Sequence, residues 1–265
     1  MKDTTFKEKT INFSKNLDVD FVKKIIVFNE ISSTNSKAKE LARKGEEEGT
    51  IVIAQIQKKG RGRFDRLWES PGGGIYLSII LRPDCPPNKA TLLTLVISLV
   101  VSKTINSYNL SSNIKWPNDV RVNGKKIAGI LLELEANEYK VDYIILGVGI
   151  NLNTNTNLLS KKIRLISTSL SEEIGNSVDY YNFLKILLFN FDKYYKLFLE
   201  KKYDSIIKEW KNQSDTLGRR VRITTSSEQI IGNACDIDQS GFLIVINDSG
   251  ECKKVANGDS IYFES

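Results

Sequence analysis

Apolar and polar positions change period several times along the chain, and each change predicts an element. Lys24–Phe28 (KIIVF) reads as a strand, and Ser32-Ser33-Thr34-Asn35 then offers a dense set of helix N-caps. Ala38, Leu41 and Ala42 share one helical face, which Gly45 closes. Thr50–Gln57 and Ile75–Leu81 read as strands. Pro83, Pro86 and Pro87 break the chain, and Asn88 is the expected cap of a long helix to about Ser107. That helix is apolar nearly all round from Leu92 to Val101, so it is expected to be buried. Ile114–Val122 reads as one extended run ending at Asn123-Gly124, a strong two-residue hairpin signal. Lys126–Glu135 and Val141–Leu152 follow as strands, separated by a turn at Asn137-Glu138.

Residues 153–177 are polar and irregular, with room for one short helix, and 178–198 and 203–212 read as helices. The texture changes near Thr216. Five short strands (221–225, 229–238, 242–247, 251–255 and 260–263) alternate with Gly- and Asp-containing turns, the pattern of a small barrel. The reading is an α+β fold with a mixed, mainly antiparallel sheet and flanking helices, because strands succeed one another without a βαβ repeat. Residues 1–24 form an arm or a short leading helix, 25–215 the main domain and 216–265 the small one.

The chain has 265 residues, 41% hydrophobic and 26% charged, as an ordinary globular protein does. No apolar run approaches membrane-span length, so no membrane partner is expected. Cys85, Cys235 and Cys252 are scattered and form no CxxC pair, which makes a reducing cytoplasm the expected setting. The net charge of +6 suits anionic substrates and gives little support for nucleic acid. There is no histidine at all. That excludes Ser-His-Asp and Cys-His catalysis and HExxH zinc chemistry, and leaves Lys, Arg, carboxylates, backbone donors or Mg²⁺.

Between the strands at 50–57 and 75–81 lies a loop with Lys58, Lys59, Arg61, Arg63, Arg66, five glycines and Trp68. Arginine forks bind carboxylate or phosphate, glycines let successive N–H groups face an oxyanion, and an indole can exclude water. A solvated surface loop or an RNA-binding Arg-Gly segment is the blander alternative. Ser33-Thr34-Asn35 is either a helix start or the lining of a pocket for an uncharged ligand. Lys115-Trp116-Pro117-Asn118-Asp119 combines a core aromatic with a turn former that also suits Mg²⁺ or ribose. Lys126 stands at the mouth of an apolar strand, where it is either a phosphate ligand or an exposed hairpin lysine. Gly147-Val148-Gly149-Ile150-Asn151 lacks the third glycine of a dinucleotide fingerprint, and its small residues would let a ligand lie on the backbone.

SSTN at 32–35, QKKGRGR at 57–63, KWPND at 115–119, KIAGIL at 126–131 and GVGINLN at 147–153, in this order, resemble the biotin protein ligases. The resemblance implies a catalytic domain like that of class II aminoacyl-tRNA synthetases and an SH3-like C-terminal domain. It implies that biotin and MgATP give biotinyl-5′-AMP, which a lysine of a biotin carboxyl carrier protein then attacks. By resemblance, Ser33, Thr34, Asn35, Gln57, Arg61, Gly62, Arg63, Lys126, Gly147 and Gly149 bind biotin. Arg61, Arg63, Trp68, Asn118, Asp119, Lys126 and Asn151 face the nucleotide. Arg61, Arg63 and Lys126 are the catalytic cations, and Asp119 and Asn151 are the candidates near Mg²⁺. Many relatives read GRGRRGR where this chain has GRGRFDR, so Phe64-Asp65 implies a stiffer, less positive loop. Regulatory members carry an N-terminal winged helix, for which residues 1–24 are too few, so no DNA binding is expected. The family's edge-to-edge pairing admits a homodimer. A lipoate ligase and a biotin-sensing regulator are the competing readings.

Overall fold

A computed structural model describes residues 5–225 and 227–262. The first helix, α1 (Phe6–Lys15), begins with a capping box: Thr5 Oγ1 accepts from Glu8 N and Glu8 Oε2 from Thr5 N. Phe6, Phe13 and Phe21 pack against the core, so the leading stretch is a helix laid on the body of the protein.

β1 (Lys24–Ile31) and β2 (Thr50–Gln57) are parallel, joined by α2 (Thr34–Arg43). Parallel neighbours require a crossover, and α2 provides it, so one βαβ unit, which the sequence reading did not place, opens the sheet. β3 (Ile75–Leu81), α3 (Pro87–Ala90), α4 (Leu92–Asn106), β4 (Ser112–Lys115), β5 (Asp119–Val122), β6 (Lys125–Ala136) and β7 (Val141–Ile150) follow. The sheet order is β1-β2-β3-β7-β6-β5-β4, and every pair after the first is antiparallel. The expected mixed, mainly antiparallel sheet is therefore present.

Two expected elements differ. The helix expected from Asn88 starts at Pro87, whose fixed φ and missing N–H suit a first helical turn. The extended run 114–122 is a hairpin: Lys115 pairs with Asp119, and Pro117, which cannot donate to a ladder, sits in the turn between them. The window 87–106 is long and apolar enough to cross a membrane by composition, yet 72% of it is buried, as befits the core helix of this fold.

Beyond β7 come a 3₁₀ turn (Thr156–Leu158), α5 (Lys161–Ile166), α6 (Leu170–Ile174), α7 (Tyr180–Leu199) and α8 (Tyr203–Gln213). Three short helical pieces thus replace the one expected over 153–177. β8 (Arg220–Thr224), β9 (Gln229–Ile237), β10 (Leu243–Ile246), β11 (Cys252–Val255) and β12 (Asp259–Tyr262) form a separate antiparallel sheet in the order β11-β10-β9-β8-β12. Phe263, the expected end of the last strand, lies outside the described residues.

The two faces of the main sheet do different work. Ile144, Leu146, Val148 and Ile150 of β7 join the large core with α4, α7 and α8. The alternate positions Tyr143 and Ile145 pack under α2 with Ala38, Ala42, Val52 and Ile80. Continuing along that second face, the side chains end at Gly147 and Gly149, which leaves a trough.

Trp116 ties the two sheets together. It is 1% exposed. Its N donates to Thr216 Oγ1 (2.9 Å), its Nε1 to Gly241 O (3.3 Å), and its carbonyl accepts from Ser260 Oγ (2.9 Å). Trp116→Ala is expected to cost about 3–5 kcal/mol in urea unfolding. A loss below about 1 kcal/mol would contradict its place at this junction.

Candidate active site

The trough widens into a cavity of about 420 Å³, within the range of small-ligand sites. Its walls are the start of α2, the basic loop, the turn after β4, β6, β7, α5 and the turn before β12.

One end is neutral and polar. Ser33, Thr34 and Asn35 are buried where β1 hands over to α2, and Ser33 also caps the helix by accepting from Ser36 N (3.4 Å). This stretch thus starts the helix and also lines the cavity. Gln57 Oε1 accepts from Thr34 N (2.8 Å) and Oγ1 (3.0 Å), while its Nε2 donates to Ser70 Oγ (3.0 Å). Ser78 Oγ lies 2.8 Å from Thr34 Oγ1 and 2.6 Å from Asn35 Oδ1. A Cβ at Gly147 would strike the Asn35 amide, so glycine is what lets Asn35 lie against the sheet. Buried neutral donors and acceptors of this kind recognise an uncharged, hydrogen-bonding group.

The middle is covered by Trp68. A Cβ at Gly149 or Gly129 would collide with the indole, so this ring rests directly on bare backbone. Lys126 Nζ stands 5.3 Å from the centre of a Trp68 ring and 2.6 Å from Asp119 Oδ1. Trp68 Nε1 is buried without a hydrogen-bond partner among the described residues.

The basic loop folds as a tight turn. Gly62 N donates to Arg66 O (2.7 Å) and Arg61 bridges to Leu67. Phe64 and Asp65 form its tip with φ of 53° and 55°, a left-handed conformation costly for a bulky residue. The guanidinium of Arg63 covers the Phe64 ring at 4.9 Å and that of Arg66 at 5.9 Å.

The three arginines diverge. Arg61 pairs with Glu133 (2.9 Å). Arg63 donates to Asn118 Oδ1 (3.0 Å), Gly258 O (3.0 Å) and Asn257 Oδ1. Arg66 pairs with Asp259. Burial pushes the Arg63 pKa down from the usual guanidinium range. The small C-terminal sheet thus reaches the cavity through the turn 257–259.

The far end is cationic. Lys115 and Arg121 line it together with Lys126. Burial, then the Arg121 charge, lowers the Lys115 ammonium below its ordinary pKa. Lys115 packs 4.9 Å and Arg121 5.6 Å from the Tyr262 ring centre, and Arg121 reaches Asp215 at 3.7 Å. Lys115 makes no ion pair among the described residues. A crowded set of cations with one short ion pair, Lys126–Asp119, is electrostatically prepared for a polyanion.

All the sequence-predicted site residues line this one cavity. Asn118 and Asn151 also serve the fold, donating to Ile130 O (2.7 Å) and Thr168 O (3.0 Å). No cluster of three or more metal-ligating side chains exists among the described residues, and Asp119 is already paired with Lys126. With Asp119 paired to Lys126 and Asn151 donating to Thr168 O, these two residues do not make a protein cage for a resident Mg²⁺. Sequence reasoning missed Glu133, Lys115, Arg121 and the apolar wall of Leu159, Ile163 and Ile166. The alternation Lys115, Asp119, Arg121 against Ile114, Val120, Val122 would have revealed the first face, had the hairpin been placed.

The profile of the Biotin/lipoate A/B protein ligase family matches residues 27–151, and that of the Biotin protein ligase C terminal domain matches 216–259. The bifunctional ligase/repressor BirA of Bacillus subtilis is 36% identical over 237 residues, spanning 89% of this chain and 73% of BirA. The biotin--[acetyl-CoA-carboxylase] ligase of Paracoccus denitrificans is 30% identical over 87% of this chain and 97% of its own length. The chain belongs to the biotin protein ligase family. Among solved structures, the biotin protein ligase from Aquifex aeolicus in complex with biotin and ATP superposes with a TM-score of 0.78 at 29% identity, covering 92% of this chain and 100% of that one.

In this ligase the packing of Trp68 on Gly149 is open to a direct test. Trp116 and Trp210 are 1% and 0% exposed, so acrylamide quenching reports chiefly on Trp68. Gly149→Ala should raise quenching and cost about 1–3 kcal/mol of stability through overpacking. Unchanged quenching would mean that the indole does not rest on this strand.

Proposed function

We propose that this protein is an ATP-dependent biotin protein ligase that works through biotinyl-5′-AMP. The observation that carries the reading is one continuous cavity. It has a neutral hydrogen-bonding end at Thr34 and Asn35, a bare backbone floor under Trp68, and a cationic end at Lys126, Lys115 and Arg121. Biotin has the matching sequence of parts: an uncharged ureido ring, an apolar tail and a carboxylate. The biotin and ATP named for the Aquifex aeolicus relative support the same pair of substrates.

In the first step a carboxylate oxygen of biotin forms a bond to the α-phosphorus of ATP. The bond from that phosphorus to the bridging oxygen breaks, and pyrophosphate leaves with the electron pair. Arg63 and Lys126 offset charge developing around the α-phosphate, and Lys115 with Arg121 receives the outer phosphates. Mg²⁺ enters as part of the nucleotide substrate. In the second step an unprotonated lysine amine of an acceptor domain attacks the acyl carbon, AMP departs with the bonding pair, and the proton lost from the amine passes to the departing phosphate or to solvent. Trp68 and the apolar side chains of α5 keep water from the anhydride. Neither step needs an imidazole, which accords with a chain that has no histidine.

A carboxyl-carrier domain is the fitting acceptor. Incubating the protein with ATP, labelled biotin and such a domain should label one lysine, and lipoate in place of biotin should give no product. Lipoate transfer would assign the polar end wrongly, and biotin binding without transfer would make the protein a sensor. Lys126→Ala should slow pyrophosphate release in the first step about 10²-fold, since a charge-assisted contact strengthened in the transition state is lost. An unchanged rate would remove Lys126 from that step.

A further inference from the structure

Arg61 lines the cavity, yet its side chain is already committed. Its Nη1 donates to Glu133 Oε1 at 2.9 Å and Oε2 at 3.1 Å. Glu133 Oε2 also accepts from Asn35 Nδ2 at 2.9 Å. On its other side, Asn35 Oδ1 is 2.6 Å from Ser78 Oγ. The Glu133 side chain is 18% exposed and that of Arg61 41%, so the pair sits at the rim with the carboxylate as its inner member.

Glu133 comes from the trough face of β6, opposite Ile145 and one step along that face from Leu131, which opposes Gly147. An ionised carboxylate is acceptor-only. It therefore fixes which way the Asn35 amide points: the NH₂ toward Glu133, the oxygen toward Ser78. The same carboxylate holds the arginine that begins the turn of the basic loop. One side chain thus touches the floor of the polar end and the cover above it, and nothing in the two chemical steps uses it.

We propose that Glu133 is a positioning residue that couples the polar end of the cavity to closure of the basic loop. It sets the polarity of Asn35 and anchors Arg61, so that filling the Asn35 end steadies residues 58–68 over the ligand. Arg61 is by this account an anchor of the loop, while Arg63, joined to Asn118 and the 257–258 turn, faces the phosphates. The inference rests on the biotin ligase reading, which supplies the ligand for the Asn35 end.

Glu133→Gln keeps the shape but leaves one acceptor oxygen for two donors. A charge-assisted contact, weakened here by partial exposure, corresponds to roughly tenfold in binding. The experiment is a double-mutant cycle on the full chain, with biotin dissociation and amide hydrogen exchange as readouts. Glu133→Gln and Arg61→Gln should each release biotin about tenfold faster, and the double variant should release it no more than about twofold faster than the faster-releasing single variant. Biotin should slow exchange of amides 58–68 in the unaltered protein and fail to do so in Glu133→Gln. Normal loop protection in Glu133→Gln, or losses that multiply in the double variant, would overturn the inference. If the unaltered protein shows no biotin-dependent protection anywhere, the ligase reading falls and takes this inference with it, an outcome read on a different sample.

Discussion

The site depends on one constraint: along one face of the sheet the central strand β7 is bare backbone at Gly147 and Gly149, and Gly129 of β6 lies opposite Gly149. Upstream on the same face, Tyr143 and Ile145 fill the space beneath α2. Two residues further the face empties. Asn35 occupies the room that a Cβ on Gly147 would take, and Trp68 the room above Gly149 and Gly129. A side chain at any of these positions would lift the floor group or the cover from the sheet. Because interiors are close-packed, the displaced group has nowhere to go without moving its own element.

Around this floor the chain separates neutral from charged chemistry. Inside the rim pair of Glu133 and Arg61, the polar end is built from side chains that cannot ionise, which suits a ligand group that gains nothing from a fixed charge. The cations lie on the other side of Trp68, on the β4–β5 hairpin, at Lys126 and in the basic loop. The small C-terminal sheet belongs to this half. It packs on the Trp116 turn and meets Arg63 and Arg66 through residues 257–259. A site that moves acyl and phosphoryl groups between good leaving groups needs charge offset and exclusion of water more than a proton shuttle. That requirement is met by lysine, arginine and tryptophan alone.

Much of this was legible from local sequence because the chemistry is written in local runs. The loop between two alternating strands, the small residues of β7 and the KWPND turn each carry their meaning within about five to ten residues, the scale of a strand or turn. What escaped was non-local. The parallel pairing of β1 with β2 depends on where α2 returns the chain. The break within 114–122 turned one strand into two, and with it the side on which Arg121 lies. Glu133 carried no local signal within the run Lys126–Glu135, and only the register with β7 places it beside Asn35. The helices of 153–177 are short and weakly patterned, so their apolar contribution to the cavity wall could not be read from periodicity.

The most direct test of the account is exchange of labelled pyrophosphate into ATP, measured with no acceptor protein present. It isolates the first chemical step and reads the cavity as a whole, from the Asn35 end to the cationic end. Exchange that requires biotin, and that lipoate does not support, is the predicted result. Exchange without biotin, or none in its presence, would contradict the assignment of the cavity to a biotinyl adenylate.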